Sequence, residues 1–407
     1  MSTPGQANII VLGGGPAGTM AAISAKKQNS SVSVALLSDE PCEPYEKPPL
    51  SKAVLLGKVA PSDAPIAGPG GLAAHGVALQ PHSRVWAIDR VARTILLEDG
   101  RTLPYDSLVI ATGSVARELP QLPRGTPRVQ YLRTERDAQR LTSSLRDTRR
   151  LLIVGAGLIG LEVAASATEL GVRTTVLELA PRILPRVCDE EIGRLVEGAH
   201  RLHGVDVKLG CAVESAVITG DEIIVVTTTG DRVAADTVVI GTGAKPNDVM
   251  AAAAGLAVDD GIVVNEYCQT SEPVIYAAGD VVRFPGPHGP VRLENWRHAL
   301  EQGAVAGRNA AGAAETYRTI PSFWSEQYDL YIQGVGWPTS GTIRVSRPMP
   351  GNAALTFELK EGRLVGAMGI NSQRDLAAAR RLIEREVPVD AGALGDPSRP
   401  LAAMLKR

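Results

Sequence analysis

Cysteine is scarce in this chain of 407 residues. The four, Cys42, Cys188, Cys211 and Cys268, stand far apart and form no Cys-x-x-Cys. That spacing excludes a disulfide framework and a structural zinc site, and it suits a reducing cytoplasm. Aromatic residues are only 4%, too few for a platform that stacks single-stranded nucleic acid. Neither sign of charge dominates: 42 Lys and Arg face 44 Asp and Glu, a net −2. No basic surface therefore argues for nucleic acid as a partner. No apolar run approaches the roughly 18 residues of a membrane span. The start, Met1 to Asn8, is polar, and the Ile9–Leu12 run after it is too short for a signal peptide. The expected location is the cytoplasm, with no membrane attachment. What is plentiful is glycine, 42 residues, with 44% hydrophobic residues to build cores. At roughly 100–200 residues per domain, two to four domains are expected.

The glycines are patterned, and the pattern repeats. Asn8–Leu12 reads as a buried strand, Gly13-Gly-Gly15-Pro-Ala-Gly18 as a G-x-G-x-x-G turn, the segment to Gln28 as a helix, and Val32–Leu37 as a second strand ending at Ser38-Asp39-Glu40. Leu151–Val154, Gly155-Ala-Gly157-Leu-Ile-Gly160, a helix over Leu161–Leu170 with Gly171 past its end, and Arg173–Leu177 closed by Glu178 repeat the plan. Tyr105–Gly113 and Ala235–Gly243 echo each other too, both apolar strands ending in Thr-Gly. A β-rich stretch precedes each. The chain thus reads as α/β, with two Rossmann-like dinucleotide-binding domains, the second inserted into the first, and a small α+β C-terminal domain. The expected bounds are 5–115 with 246–320, 116–245, and 321–407, with a C-terminal helix around Asp375–Arg385. Pro61–Gly71 reads as a mobile loop.

One G-x-G-x-x-G is weak evidence; two copies, each with its strand, helix and strand-end acid, are strong. Such glycines allow a tight turn and close approach to a pyrophosphate, which the helix N-terminus attracts. Gly155, Gly157, Leu158, Ile159 and Gly160, with Glu178, Thr242 and Gly243, form the expected NAD set. Glu178 would accept hydrogen bonds from a ribose diol and repel a 2′-phosphate, so NADH is preferred; the nearest Arg, Arg182, is four residues on. In the first copy Asp39 is the expected ribose ligand, with Glu40 as competitor. Solvated strand-end charge is the plainer alternative for these acids.

Two dinucleotides in one chain suggest electron transfer between cofactors, and a family resemblance points the same way. Pro44-Tyr-Glu-Lys-Pro-Pro-Leu-Ser-Lys52 resembles the PYxRPPLSK segment of FAD-dependent ferredoxin reductases of the putidaredoxin reductase and biphenyl dioxygenase reductase types. Tyr131–Thr134, Thr270–Asp280, Glu294–Gln302 and Phe323–Gln327 resemble further segments of that family in the same order. Lys47 departs from the family's usual Arg. The resemblance implies a glutathione-reductase-like plan with FAD and NADH. Gly13, Gly15, Pro16, Ala17 and Gly18 would hold the FAD pyrophosphate and Asp39 its ribose. Val85, Ala111, Thr112, Gly113, Arg133, Asp280, Trp296 and Trp324 complete the implied FAD set. Lys52 would lie beside the flavin and meet Glu162 near its N5, a catalytic pair. The plainer alternatives are an N-cap for Asp280, core packing for Trp324 and an exposed helix face for Glu162.

Disulfide reductases of this plan need a thiol pair at the flavin, and Cys42 stands alone. Electrons would therefore leave from the flavin itself, which takes a hydride pair and releases electrons singly. The expected activity is an NADH:ferredoxin oxidoreductase passing single electrons to a [2Fe-2S]-type ferredoxin that supplies an oxygenase, a Rieske dioxygenase or a cytochrome P450. An NADH oxidase or diaphorase, and an apoptosis-inducing-factor-like redox-controlled binding protein, are the alternatives. His200 and His203 have no third ligand nearby, and no metal is expected. Monomer and homodimer stay open.

Overall fold

The computed structural model describes residues 8–337 and 342–405, which fall into two compact units. The first gathers the described residues up to Pro48, with Ala60–Val115 and Ala244–Thr319; the second gathers Pro49–Val59, Ala116–Gly243 and the described residues from Ile320 onward.

In the first unit five parallel strands lie in the order Ile275–Ala277, Ser107–Ile110, Asn8–Leu12, Ser33–Leu37, Ala78–Gln80. The central strand is buried along Ile9–Leu12, as a parallel sheet covered on both faces demands. The Pro16–Gln28 helix leaves this strand through the glycine turn and packs on the Trp296–Ala310 helix. An antiparallel meander, Val85–Asp89, Thr94–Leu97 and Thr102–Pro104, belongs to the same unit. The Pro61–Gly71 stretch carries a short 3₁₀ turn at Pro61–Asp63, and Pro65 makes a β-bridge to Tyr45.

The second unit repeats this plan with Asp206–Leu209, Arg173–Glu178, Arg150–Val154, Thr237–Ile240 and Val129–Tyr131, again all parallel, and its own meander at Val213–Ala235. The pairing register repeats as well: Ile9 faces Ser107 as Leu151 faces Thr237. The helix after the second glycine turn begins at Leu158, earlier than the expected Leu161. Gly157 is the N-cap, with φ −80° and ψ −179°, so helical angles start at the next residue and Gly160 lies inside the first turn. Five antiparallel strands from Ser322 to Ile370 and a helix at Gln373–Glu384 complete the unit. Residues 49–59 lie early in the chain but lean on the Leu158–Glu169 helix: Ser166 Oγ donates to the Ser51 carbonyl at 2.9 Å, and Lys58 pairs with Glu169 at 2.7 Å.

The helix pair of the first unit depends on two glycines one turn apart. A methyl group on Gly303 would come within 2.2 Å of the Ala17 carbonyl oxygen, and one on Gly307 within 2.0 Å of that of Ala21. Both obstacles are backbone and cannot swing aside. Gly307→Ala is therefore expected to destabilise the protein by about 1–3 kcal/mol, despite the gain of up to ~1 kcal/mol in helix propensity. Chemical denaturation reads this out, and an unchanged or raised midpoint would contradict so close a helix contact.

Candidate functional site

The two glycine turns are built alike. Gly13 has φ +109° and Gly155 φ +107°, angles that glycine adopts without a Cβ penalty. A Cβ at Gly13 would meet the Ala111 carbonyl oxygen at 2.3 Å, and one at Gly155 the Gly241 oxygen at 2.4 Å. Gly18 and Gly160 press on the carbonyls of Gly13 and Gly155, at 1.9 and 2.2 Å for an added Cβ. The middle glycines differ: at Gly15 and Gly157 an added Cβ meets nothing within 4 Å. These two are the helix N-caps, and neither provides a side chain to cap the first turn. Each turn thus has a tight inner side, and an open outer side where unclaimed helix N–H groups face an approaching anion. That is the shape a dinucleotide pyrophosphate requires, and both turns fit it. Pro16 and Ala17 open the first helix; Leu158 and Ile159 open the second, with Ile159 left exposed.

The Thr-Gly echoes close each cradle by the same bonds. Thr112 Oγ1 donates to the Asn247 carbonyl at 2.8 Å, and the Asn247 N–H donates back to Gly113. Thr242 Oγ1 donates to the Arg117 carbonyl at 3.1 Å, and the Arg117 N–H donates to Gly243.

The strand-end acids fare differently. Glu178 accepts from the N–H of Ala156, inside the glycine turn, at 2.7 Å and from that of Ala180 at 2.9 Å. Its carboxylate is therefore pinned at the cradle. Arg182 spends its guanidinium on the carbonyls of Cys188 and Pro185 at 2.8 and 2.9 Å. Asp39 is exposed, whereas Glu40 is engaged by Tyr45 Oη at 2.6 Å and by Lys47 Nζ at 2.5 Å. Lys47 also lies over the Tyr45 ring, so this departure from the family's Arg keeps its cation in a local cluster.

Asp280 follows the Ile275–Ala277 strand and accepts from Ser114 Oγ at 3.0 Å. Trp296 opens the Trp296–Ala310 helix, capped by Asn295, and its indole N–H donates to Glu46. Burial raises the Glu46 carboxyl above its ordinary range, a shift that bond opposes. Val85 starts the first meander strand, half-buried; Arg133 is half-buried, its N–H donating to Asp137. Trp324 is half-buried on the Ser322–Gln327 strand and so stands outside the core.

Lys52 and Glu162 meet inside the second unit. Lys52 Nζ lies 3.0 Å from Glu162 Oε2, with both side chains largely buried. Ser51 Oγ also donates to Oε2, and Ser325 Oγ donates to Oε1 at 2.6 Å. A carboxylate only 5% exposed thus receives three donors, the condition on which burying such a group depends. Sequence reasoning missed Ser51, Ser325 and Gln327. The available signal was the alternation of Trp324-Ser325-Glu326-Gln327, which puts two polar residues on one face of a strand; both are buried.

The histidines are structural in their surroundings. His200 Nε2 lies 2.8 Å from Gln327 Oε1, and His298 Nδ1 lies 2.7 Å from Tyr317 Oη. Burial lowers both imidazoles to about 4. Cys188, Cys211 and Cys268 are buried free thiols, and burial pushes Cys188 up to about 12. Among the described residues, no group of three or more His, Cys, Asp or Glu could hold a metal ion, and no helix is long and apolar enough to cross a membrane.

Comparison with known proteins places this geometry among relatives. Residues 7–303 match the family model described as pyridine nucleotide-disulphide oxidoreductase, and residues 322–405 match one described as reductase C-terminal. The chain is 36% identical over 404 residues to rhodocoxin reductase of Rhodococcus erythropolis, covering 98% of this chain and 95% of that protein. It is 38% identical over 406 residues to the anthranilate 1,2-dioxygenase system ferredoxin–NAD(+) reductase component of Burkholderia cepacia, covering 97% and 98%. It is similar in structure to the reductase in the covalent putidaredoxin reductase–putidaredoxin complex, with a TM-score of 0.92, 34% identity and 98% of each chain covered.

Two measurements test this geometry. Gly157→Ala places a methyl group on the open side of its cradle. It is expected to change stability by no more than about 1 kcal/mol while weakening NADH binding about tenfold; unaltered affinity by titration would show that no phosphate docks there. The two buried imidazoles are neutral when folded and take up protons on unfolding. Their stabilisation is complete above the unfolded value of 6.5 and is lost as pH falls toward about 4, at about 1.4 kcal/mol per pH unit for each ring. A denaturation midpoint that stays flat from pH 7 to 5 would contradict this.

Proposed function

The chain belongs to the pyridine nucleotide-disulphide oxidoreductase family, and we propose that it is an NADH-dependent, FAD-containing ferredoxin reductase that serves an oxygenase system. The observation that carries this reading is the pair of matched nucleotide cradles in a chain whose four cysteines lie far apart in sequence. Its relatives include a ferredoxin–NAD(+) reductase component of a dioxygenase system, which is what supports a ferredoxin as acceptor. The buried free thiols of Cys188, Cys211 and Cys268 suit a reducing cytoplasm.

When bound, FAD supplies the conversion of a two-electron donor, NADH, into single electrons for an iron–sulfur acceptor. The chain's own residues divide the remaining work. Gly13–Gly18 would offer the backbone N–H groups of one helix start to the FAD pyrophosphate, with Asp39, Ala111, Thr112, Gly113, Asp280 and Val85 as the further residues that would hold it. Gly155–Gly160 would do the same for NADH, with Thr242 and Gly243. Glu178, pinned by two backbone N–H groups, takes the ribose diol and repels a 2′-phosphate. Arg182 is bound to carbonyls and is not spare to receive that phosphate. The Trp296 helix start, steadied by Asn295 and Glu46, would offer the positive end of its dipole to negative charge on the flavin. Arg133 and Trp324 are assigned to the FAD through the family resemblance.

Lys52 would supply a fixed positive charge to the flavin, the role the family resemblance implies, and Glu162 keeps that lysine from being an uncompensated buried ion. With Lys52→Met, anaerobic flavin reduction by NADH in a stopped-flow instrument is expected to slow at least about tenfold, a loss of ~1.4 kcal/mol of barrier lowering, with FAD still bound. An unchanged rate would remove Lys52 from the mechanism. The wild-type protein with NADH is expected to reduce a [2Fe-2S] ferredoxin much faster than it reduces dioxygen. Equal rates would overturn the ferredoxin reading in favour of an oxidase.

A further inference from the structure

The Glu162 carboxylate is the end of a longer buried chain. Ser325 Oγ has one hydrogen, given to Glu162 Oε1 at 2.6 Å. Its oxygen must therefore accept from Gln327 Nε2, 3.0 Å away. Gln327 then presents Oε1 to His200 Nε2 at 2.8 Å, so that ring nitrogen carries the hydrogen. The neutral ring is left with a bare Nδ1, which accepts from Tyr328 Oη at 3.2 Å. Tyr328 Oη lies 3.2 Å from Thr168 Oγ1, and its ring stacks on His203 at 3.7 Å. Ser325, Gln327 and His200 are at most 1% exposed, so no bulk water competes for these bonds. Every hydrogen from Tyr328 onward points toward Glu162. An acceptor-only carboxylate at one end imposes that direction on the whole chain.

We propose that Ser325, Gln327 and His200 are positioning residues for the Lys52–Glu162 pair, forming a one-way hydrogen-bond chain that holds the carboxylate in a single orientation and Lys52 with it. The terminal torsion of a glutamate is broad, and the lysine stem is flexible. Lys52 and Ser51 both meet Oε2, whereas Ser325 meets Oε1; without Ser325 the carboxylate can turn about Oε2 and carry Lys52 with it. This inference rests on the reading that Lys52 acts at the flavin.

Nitrogen-15 NMR of the histidine-labelled, FAD-loaded full chain at pH 7.5 tests the direction of the chain, and the same spectrum can be taken on the apoprotein. His200 is expected as a single neutral tautomer with hydrogen on Nε2. In Ser325→Ala the Gln327 amide is released and the Nδ1–H tautomer appears. Flavin reduction by NADH in that variant is expected to slow about tenfold, with NADH affinity within about twofold, and Ser325→Thr is expected to restore both the rate and the single tautomer. Hydrogen on Nδ1 in the wild-type protein, or a wild-type rate in Ser325→Ala, overturns the proposal. Should Ser325→Ala fail to fold, Gln327→Glu keeps the acceptor for His200 and removes the donor for Ser325, and the same rate criterion applies. If Lys52→Met leaves flavin reduction unchanged, the role of the pair falls and the positioning proposal with it. A wild-type rate in Ser325→Ala alongside a slow Lys52→Met removes only the chain.

Discussion

A buried carboxylate must find donors, and Glu162 finds them in segments far apart along the chain. Ser51 and Lys52 come from 111 and 110 positions before it and Ser325 from 163 after it. Losing one donor would leave part of a charge uncompensated where water cannot reach, a penalty larger than the net worth of an ordinary hydrogen bond. The second unit is arranged so that this does not happen. The Pro49–Val59 segment is held along the Leu158–Glu169 helix by Ser166 and Glu169. The Ser322–Gln327 strand turns two polar side chains inward, and the Glu190–Leu202 helix offers His200 to the second of them. A single acid thus ties the second glycine-turn fold, an early segment and the C-terminal sheet to one another.

The duplication is deeper than a repeated glycine pattern. Both sheets place the strand before the turn between the strand after the helix and the strand that ends in Thr-Gly. Both turns have a carbonyl packed against the first glycine and open space beside the second. Both Thr-Gly pairs exchange the same two hydrogen bonds with a backbone partner. Identical steric demands recur because each copy makes the same tight strand-to-helix turn, with the helix packed closely on the strand. The acids that follow have diverged: Glu178 is fastened to its turn, whereas Asp39 stands in solvent beside a Glu40 committed to Tyr45 and Lys47. Three of the four thiols are buried, and desolvation holds Cys188 and Cys268 protonated.

The sequence by itself determined the two strand–turn–helix units, the order of their elements and the residues of each glycine turn. Those are local matters: strand burial, the angles only glycine adopts easily and the acid at a strand end all show within about 30 residues. It also led to Lys52 and Glu162 as a pair, though only through resemblance to a family. Where the second helix begins was less legible, because Gly157 caps it with extended angles and leaves Gly160 inside. Tertiary structure alone decided what surrounds Glu162, which of Asp39 and Glu40 is committed elsewhere, and that His200 serves Gln327 and Tyr328. Each of those choices depends on which distant side chain arrives to satisfy a polar group removed from water, and no local spacing encodes that arrival.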